Sequence, residues 1–323
     1  MTTKTKTRAA KKSPAKKGNA DTYERITDNL IAAMEAGTVP WHKPWQTHRN
    51  VWGRGYRGIN VMILDMAAQA GGYGSTTWIT YNQAQKEGGQ VMRGEKGTAV
   101  VLWKFFKGKA KDEEGQDEDE GKRGGGGVFA RTFTVFNLDQ IAFGDSDEED
   151  EEIRTKLEGK REATVADDDA TDAMIARYLD DNGPTLKHGG GTASYSPGED
   201  RIAMPPVKTF DSADHYYATL FHEMGHSTGH ASRLDRDGIT NINFFGSHEY
   251  SQEELVAEFC SAYLCGVTGR DNSTIADQSA AYLANWLKVL KDDRKMLVVA
   301  AQRAQKAADL ILDQVPNYDG KED

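Results

Sequence analysis

Apolar positions recur along the chain with two periods, and the change of period marks the predicted elements. From Asp21 onward, Ile26, Leu30, Ile31 and Met34 fall at helical spacing, and Gly37 follows as a stop. VMILDMAAQA (61–70) predicts a second helix that ends at Gly71 and Gly72. WITYNQAQKEGG (78–89) reads as a short strand, a short helix and a glycine turn. TAVVLWKFF (98–106) and FARTFTVFNL (129–138) carry the branched and aromatic content of β-strands. A helix follows near 165–179, then an extended run ASYSPGEDRIAMPP (193–206), then three or more helices to about residue 315.

Polar runs interrupt this pattern. Residues 1–20 hold seven basic side chains, no acidic ones and almost nothing apolar, the composition of a disordered tail. The charged, glycine-rich run between the two strands reads as a solvated hairpin insert at 108–127. DSDEEDEE (145–152) reads as the start of an acidic linker at 146–160. At 323 residues two domains are the default. The organisation is therefore α+β: an N-terminal module at 21–145, a mainly helical domain at 161–315, and a short tail at 316–323.

Charge separates the two domains. Residues 1–110 hold 18 Lys+Arg and 7 Asp+Glu, whereas residues 111–323 hold 22 and 43. A basic first third on an acidic chain points to an anionic partner for that third, with nucleic acid the leading candidate. No apolar run approaches the roughly 20 residues that span a bilayer, so no membrane partner is expected. Cys260 and Cys265 are five apart in a predicted helix, a spacing that fits neither a CxxC motif nor a disulfide within a helix. Free thiols and no apolar signal core place the chain in the cytoplasm.

FHEMGH (221–226) contains HExxH. On a helix, His222 and His226 are four apart and share a face, so both imidazoles can reach one ion, with Zn2+ the expected metal and another divalent ion the alternative. Glu223 sits one residue round the helix, placed to take a proton from a water at the metal as the catalytic base. A histidine at position 232 would continue a metzincin motif, but Ser232 stands there. His230 lies past Gly229 and reads as a helix-end residue. Downstream, YSQEELVAEFCSAYL (250–264) predicts a helix bearing Glu253, Glu254 and Glu258. Gluzincins draw their third ligand from such a helix, with an acid four residues on orienting a ligand histidine. That pattern assigns Glu254 to the metal and Glu258 behind it; Glu258 as the ligand is the alternative.

Five of the six tryptophans, Trp41, Trp45, Trp52, Trp78 and Trp103, fall within the first 103 residues, interleaved with arginine and lysine. Aromatic faces stack unpaired bases while cations follow the phosphates, which favours single-stranded DNA over a duplex. A core role for the rings is the competing reading.

PWHKPW, YRGIN, WITYNQA, GGQVMRGEKG and FTVFNLDQ resemble the N-terminal, single-stranded-DNA-binding domain of ArdC-type antirestriction proteins. ASYSPGEDRIAMPP, YYATLFHEMGHSTGH, RLDR (233–236) and YSQEELVAEF resemble the zincin-like metallopeptidase domain that follows it in that family. The similarity covers roughly residues 21–315. It implies a protein of a plasmid or phage that shields incoming DNA from host restriction, and a metal motif on His222, Glu223, His226 and Glu254. The candidate DNA-contacting positions are Trp41, Trp45, Arg54, Tyr56, Arg57, Asn60, Trp78, Arg93 and Lys96. A protein or peptide substrate is the expectation for the second domain.

Overall fold

A computed structural model describes residues 19–37, 39–106, 127–159, 165–240, 248–273 and 280–314. All but the last two residues of the expected basic tail, all but Gly127 of the expected insert, and the tail at 316–323 lie outside the described residues.

The N-terminal half runs α1 (Asn19–Glu35), β1 (Arg49–Asn50), α2 (Ile59–Gly71), β2 (Thr77–Thr80), α3 (Tyr81–Lys86), β3 (Gly89–Val91), β4 (Thr98–Phe106), β5 (Gly127–Asn137), β6 (Ile141–Phe143) and α4 (Asp147–Glu158). Its main sheet has the order β1-β2-β5-β4, parallel between β1 and β2 and antiparallel elsewhere; β3 and β6 form a separate antiparallel pair. Thr80 starts α3 as a capping box with Gln83, so strand passes into helix with no intervening loop. Asn60 on α2 fixes that helix to β4, exchanging two 2.8 Å hydrogen bonds with the Val101 backbone.

The acidic run that composition assigns to a linker is the helix α4, docked on the N-terminal half. Ser146 caps it, and acidic residues fill its first turn, where the helix dipole favours them. Ile153 and Leu157 pack against the cluster of Ile79, Leu138, Ile141 and Phe143, while Arg154 donates to the Leu138 and Ile141 carbonyls.

The C-terminal half runs α5 (Asp168–Asp180), β7 (Thr185–His188), β8 (Ser194–Ser196), β9 (Arg201–Met204), α6 (Ala213–Ser227), α7 (Asp237–Thr240), α8 (His248–Thr268), α9 (Ala280–Asp292) and α10 (Met296–Leu312). A three-stranded sheet of order β7-β9-β8 lies beside α6, and α8 packs between α6 and α10. The extended run at 193–206 is a hairpin: its second strand, β9, is central in the sheet, and its first, β8, lies at an edge. Both cysteines are buried, free thiols on α8.

The two-domain layout holds, but the halves share a continuous core. Trp41 meets Phe259 and Trp286 at ring separations of 5.3 and 5.9 Å, and Trp45 meets Phe259 and Tyr263 at 5.2 and 4.7 Å. Tyr263 Oη donates to the Gly58 carbonyl at 2.6 Å, and Arg57 pairs with Asp309. Trp41, Trp45 and Trp78 are 0%, 2% and 0% exposed, which corrects their assignment as base-stacking surfaces. Trp78 packs on Leu64, Ala68, Val100 and Val135, with its Nε1–H donating to His48 Nδ1 at 3.1 Å. Their large areas hold the fold, as buried aromatics do.

Candidate metal centre

Helix α6 begins at Ser212, whose Oγ accepts from the His215 amide at 3.0 Å. Tyr216, Tyr217, Leu220, Phe221 and Met224 form its buried face. With that face fixed, the i, i+4 spacing sets His222 and His226 side by side, their Nε2 atoms 3.1 Å apart. Both side chains are partly exposed, 22% and 13%.

Helix α8 brings the third donor. Glu254 Oε2 lies 3.6 Å from His222 Nε2, and Glu254 Oε1 lies 3.6 Å from His226 Nε2. Metal–ligand bonds of about 2.0–2.1 Å in tetrahedral geometry put donors roughly 3.3 Å apart, so two imidazoles and a carboxylate at these separations suit a divalent ion such as zinc. His222, His226 and Glu254 form the trio of donor atoms, mutually within 4.8 Å, that could hold a metal among the described residues. The approach of the helices depends on Gly225: a Cβ there would lie 3.1 Å from Ala257 Cα and 3.2 Å from Cys260 Cβ.

Electrostatics focus negative charge on the trio. Burial pulls the His222 imidazole down, but the Glu254 hydrogen bond and the charges of Glu258, Glu223 and Glu254 outweigh it, and the pKa is pushed up to about 9. Glu223 is buried beside His222, and Glu258, half-buried, acts on the same imidazole.

Two residues to which the sequence pattern gave no role sit behind His226. Glu253 Oε1 lies 3.4 Å from His226 Nδ1, and Arg236 Nε and Nη2 reach the Glu253 carboxylate at 2.9 and 2.5 Å. Arg236 also donates to the Gly225 carbonyl at 2.8 Å and to Thr228 Oγ1 at 2.7 Å. Burial works against the Glu253 carboxylate, but hydrogen bonds from Arg236 and His226 hold it below the usual carboxylate range. Glu253 is thus the carboxylate beside His226 Nδ1, while Glu258 acts on the His222 imidazole. The available signal was the arginine of RLDR beside three neighbouring glutamates, but spacing alone could not pair them. His230 stays outside the trio, its Nδ1 2.8 Å from Ser232 Oγ.

The predicted DNA-contacting positions separate by exposure. Arg54, Arg93 and Lys96 are exposed. Tyr56 is half-buried, Arg57 is drawn to Asp309, and Asn60 is spent on the β4 backbone, so these three serve the fold.

Comparison with known proteins agrees with this division of the chain. Residues 20–136 match the family model for the N-terminal domain of the anti-restriction factor ArdC, and residues 173–303 match a zincin-like metallopeptidase model. The metal-free crystal structure of the antirestriction protein ArdC from plasmid R388 is 39% identical, with a TM-score of 0.69, over 91% of this chain and 97% of that one. The Mn(II)-bound structure of the same protein is 41% identical, with a TM-score of 0.68, over 92% and 99%. The uncharacterised protein y4eC of Sinorhizobium fredii (strain NBRC 101917 / NGR234) is 36% identical over 90% of this chain and 91% of its own length. A DNA primase TraC of Escherichia coli is also 36% identical over 90% of this chain, which spans 27% of the primase. No helix among the described residues is long and apolar enough to cross a membrane.

Proposed function

The chain belongs to the ArdC antirestriction family, and from that premise we propose that it binds single-stranded DNA and protects incoming DNA from host restriction, aided by a divalent-metal peptidase site. The observation that carries the peptidase reading is the convergence of His222, His226 and Glu254 within 4.8 Å, with Glu223 buried next to His222. A structural metal site needs the histidines but gives no reason for a buried carboxylate beside them.

His222, His226 and Glu254 would hold the ion, with zinc first and manganese, the ion in the Mn(II)-bound R388 protein, as the alternative. A bound divalent ion supplies Lewis acidity that polarises a carbonyl and makes water more acidic. Glu223 accepts a proton from the attacking water and delivers it to the nitrogen of the leaving amine. Glu253 and Arg236 keep the His226 ring in one orientation. The edge of β8, on the sheet beside α6, offers main-chain groups with which an extended peptide can pair. Single-stranded DNA as the partner of the N-terminal domain is supported by the basic, acid-poor first third of the chain.

A Glu223→Ala variant in a restricting host tests the proposal by plating or transfer efficiency of unmodified DNA. Lost protection with oligonucleotide binding intact supports peptidase action. Unchanged protection removes peptidase action and leaves passive coating of the DNA.

A further inference from the structure

Four of the five tryptophans whose side chains the structure describes, Trp41, Trp45, Trp78 and Trp286, are 0–5% exposed. Trp52 is 69% exposed. An indole left in water forgoes the burial that the other four rings have, so its setting calls for a reason. We infer that Trp52, on the turn at 50–54, is the ring on which the N-terminal domain stacks an unpaired base, with Arg54 holding the adjoining phosphate.

This rests on the proposal that the domain binds single-stranded DNA, and it names the residues that do so. The turn is built to be rigid. Asn50 Oδ1 accepts from the amides of Trp52 and Arg54, each at 3.0 Å. The Asn50 amide donates to the Arg54 carbonyl at 2.9 Å, and the Gly53 amide donates to the Asn50 carbonyl at 2.9 Å. Gly53 has φ +77°, which a side chain would resist. Val51, next to Trp52, anchors the turn on the cluster of Ile79, Leu138, Ile141 and Phe143. A backbone fixed before binding has little freedom left to lose when a base stacks on the ring it carries.

Charge selects the partner. No aspartate or glutamate occurs between Glu35 and Asp65, while Lys43, Arg49, Arg54 and Arg57 do. Of these arginines, Arg57 is committed to Asp309 and Arg49 to the Glu158 carbonyl, whereas Arg54 is exposed on the same turn as Trp52, two residues on. An exposed flat ring and an exposed cation on one turn, in an acid-free stretch, suit a strand that offers both a base face and a phosphate.

The test is a titration of the full chain against a labelled oligothymidylate at several salt concentrations. Trp52→Ala is expected to weaken binding about tenfold at every salt concentration with an unchanged salt slope, and Trp52→Phe to restore most of it. Arg54→Ala is expected to lower the slope by about 0.7, the loss of one phosphate contact on a single strand. Thermal midpoints should match wild type, because both side chains are exposed. Wild-type affinity in Trp52→Ala, with the wild type itself binding, overturns the inference, as it would if the indole docks a protein instead. Failure of the wild-type chain to bind the oligonucleotide at low salt overturns the DNA reading first, and this assignment with it.

Discussion

Glu253 Oε1 stands 3.4 Å from His226 Nδ1, on the side of the ring away from the nitrogen that faces His222 and Glu254. A carboxylate there favours the tautomer with its proton on Nδ1 and leaves Nε2 free to bind metal. Glu253→Gln keeps the shape and removes the charge. It is expected to lower affinity for zinc or manganese by about 10–100-fold in competition with a chromophoric chelator. Equal affinities in the two proteins would show that His226 needs no such partner.

Gly225→Ala should disturb the same centre through the contact of α6 with α8. Alanine gains up to ~1 kcal/mol of helix propensity, but its Cβ would meet Ala257 Cα at 3.1 Å, a backbone atom of a packed helix. Overpacking of this kind costs about 1–3 kcal/mol, so net destabilisation is expected on urea unfolding. Because Glu254 moves with α8, metal affinity should fall as well. A more stable variant with intact metal binding would mean that the helix contact is not tight.

The elements were legible wherever period and stop signals coincide: α1, α2, the β2–α3 transition, the long strands and the HExxH helix. So was the grouping of His222, His226 and Glu254, since spacing places His222 beside His226 and a second amphipathic helix bears the carboxylate. The tryptophans were misread because composition reports how many rings a segment has, and only tertiary packing reports which side of them water sees. Trp41 and Trp45 find their partners on α8, more than two hundred residues away, and no local pattern encodes that contact. The acidic run was misread for a related reason. Its charge suggests solvation, but Ile153 and Leu157 suffice to dock a capped helix.

Asp200 gives the fold a defined acid sensitivity. Burial raises its pKa, but hydrogen bonds from Arg233 and from Tyr195 Oη, the latter 2.8 Å long, together with the Arg233 charge, hold it below the usual carboxylate range. The folded value being the lower one, the stabilisation is complete above the unfolded value of about 3.9 and is lost as pH falls through the folded value. The stability difference between wild type and Asp200→Asn should therefore be constant from neutral pH to about 4 and shrink below it. Urea midpoints across that range check this; a gap that closes between pH 7 and 5 would point to another group.

Gly266 is where α8 meets the backbone of the N-terminal half. A Cβ at that position would lie 1.9 Å from the Trp45 carbonyl oxygen, which hydrogen-bonded backbone cannot yield without moving the segment. Gly266→Ala should separate the two halves and destabilise the chain by more than the ~1–3 kcal/mol of ordinary overpacking. Limited proteolysis near residues 40–48 should speed up in parallel. Unchanged unfolding and proteolysis would show that the shared core tolerates a shift there.

Trp41 separates the two roles a tryptophan can have in this domain. It is fully buried between Phe259 and Trp286, so Trp41→Ala removes the centre of the contact between the halves and should cost about 3–5 kcal/mol of stability. Under conditions where the variant remains folded, its affinity for an oligothymidylate should equal that of wild type, because no base can reach the ring. A base-stacking residue would show the opposite pair of results, normal stability with weakened binding. Urea unfolding and an oligonucleotide titration on one preparation therefore decide between them, and loss of affinity at full stability would return Trp41 to the DNA surface.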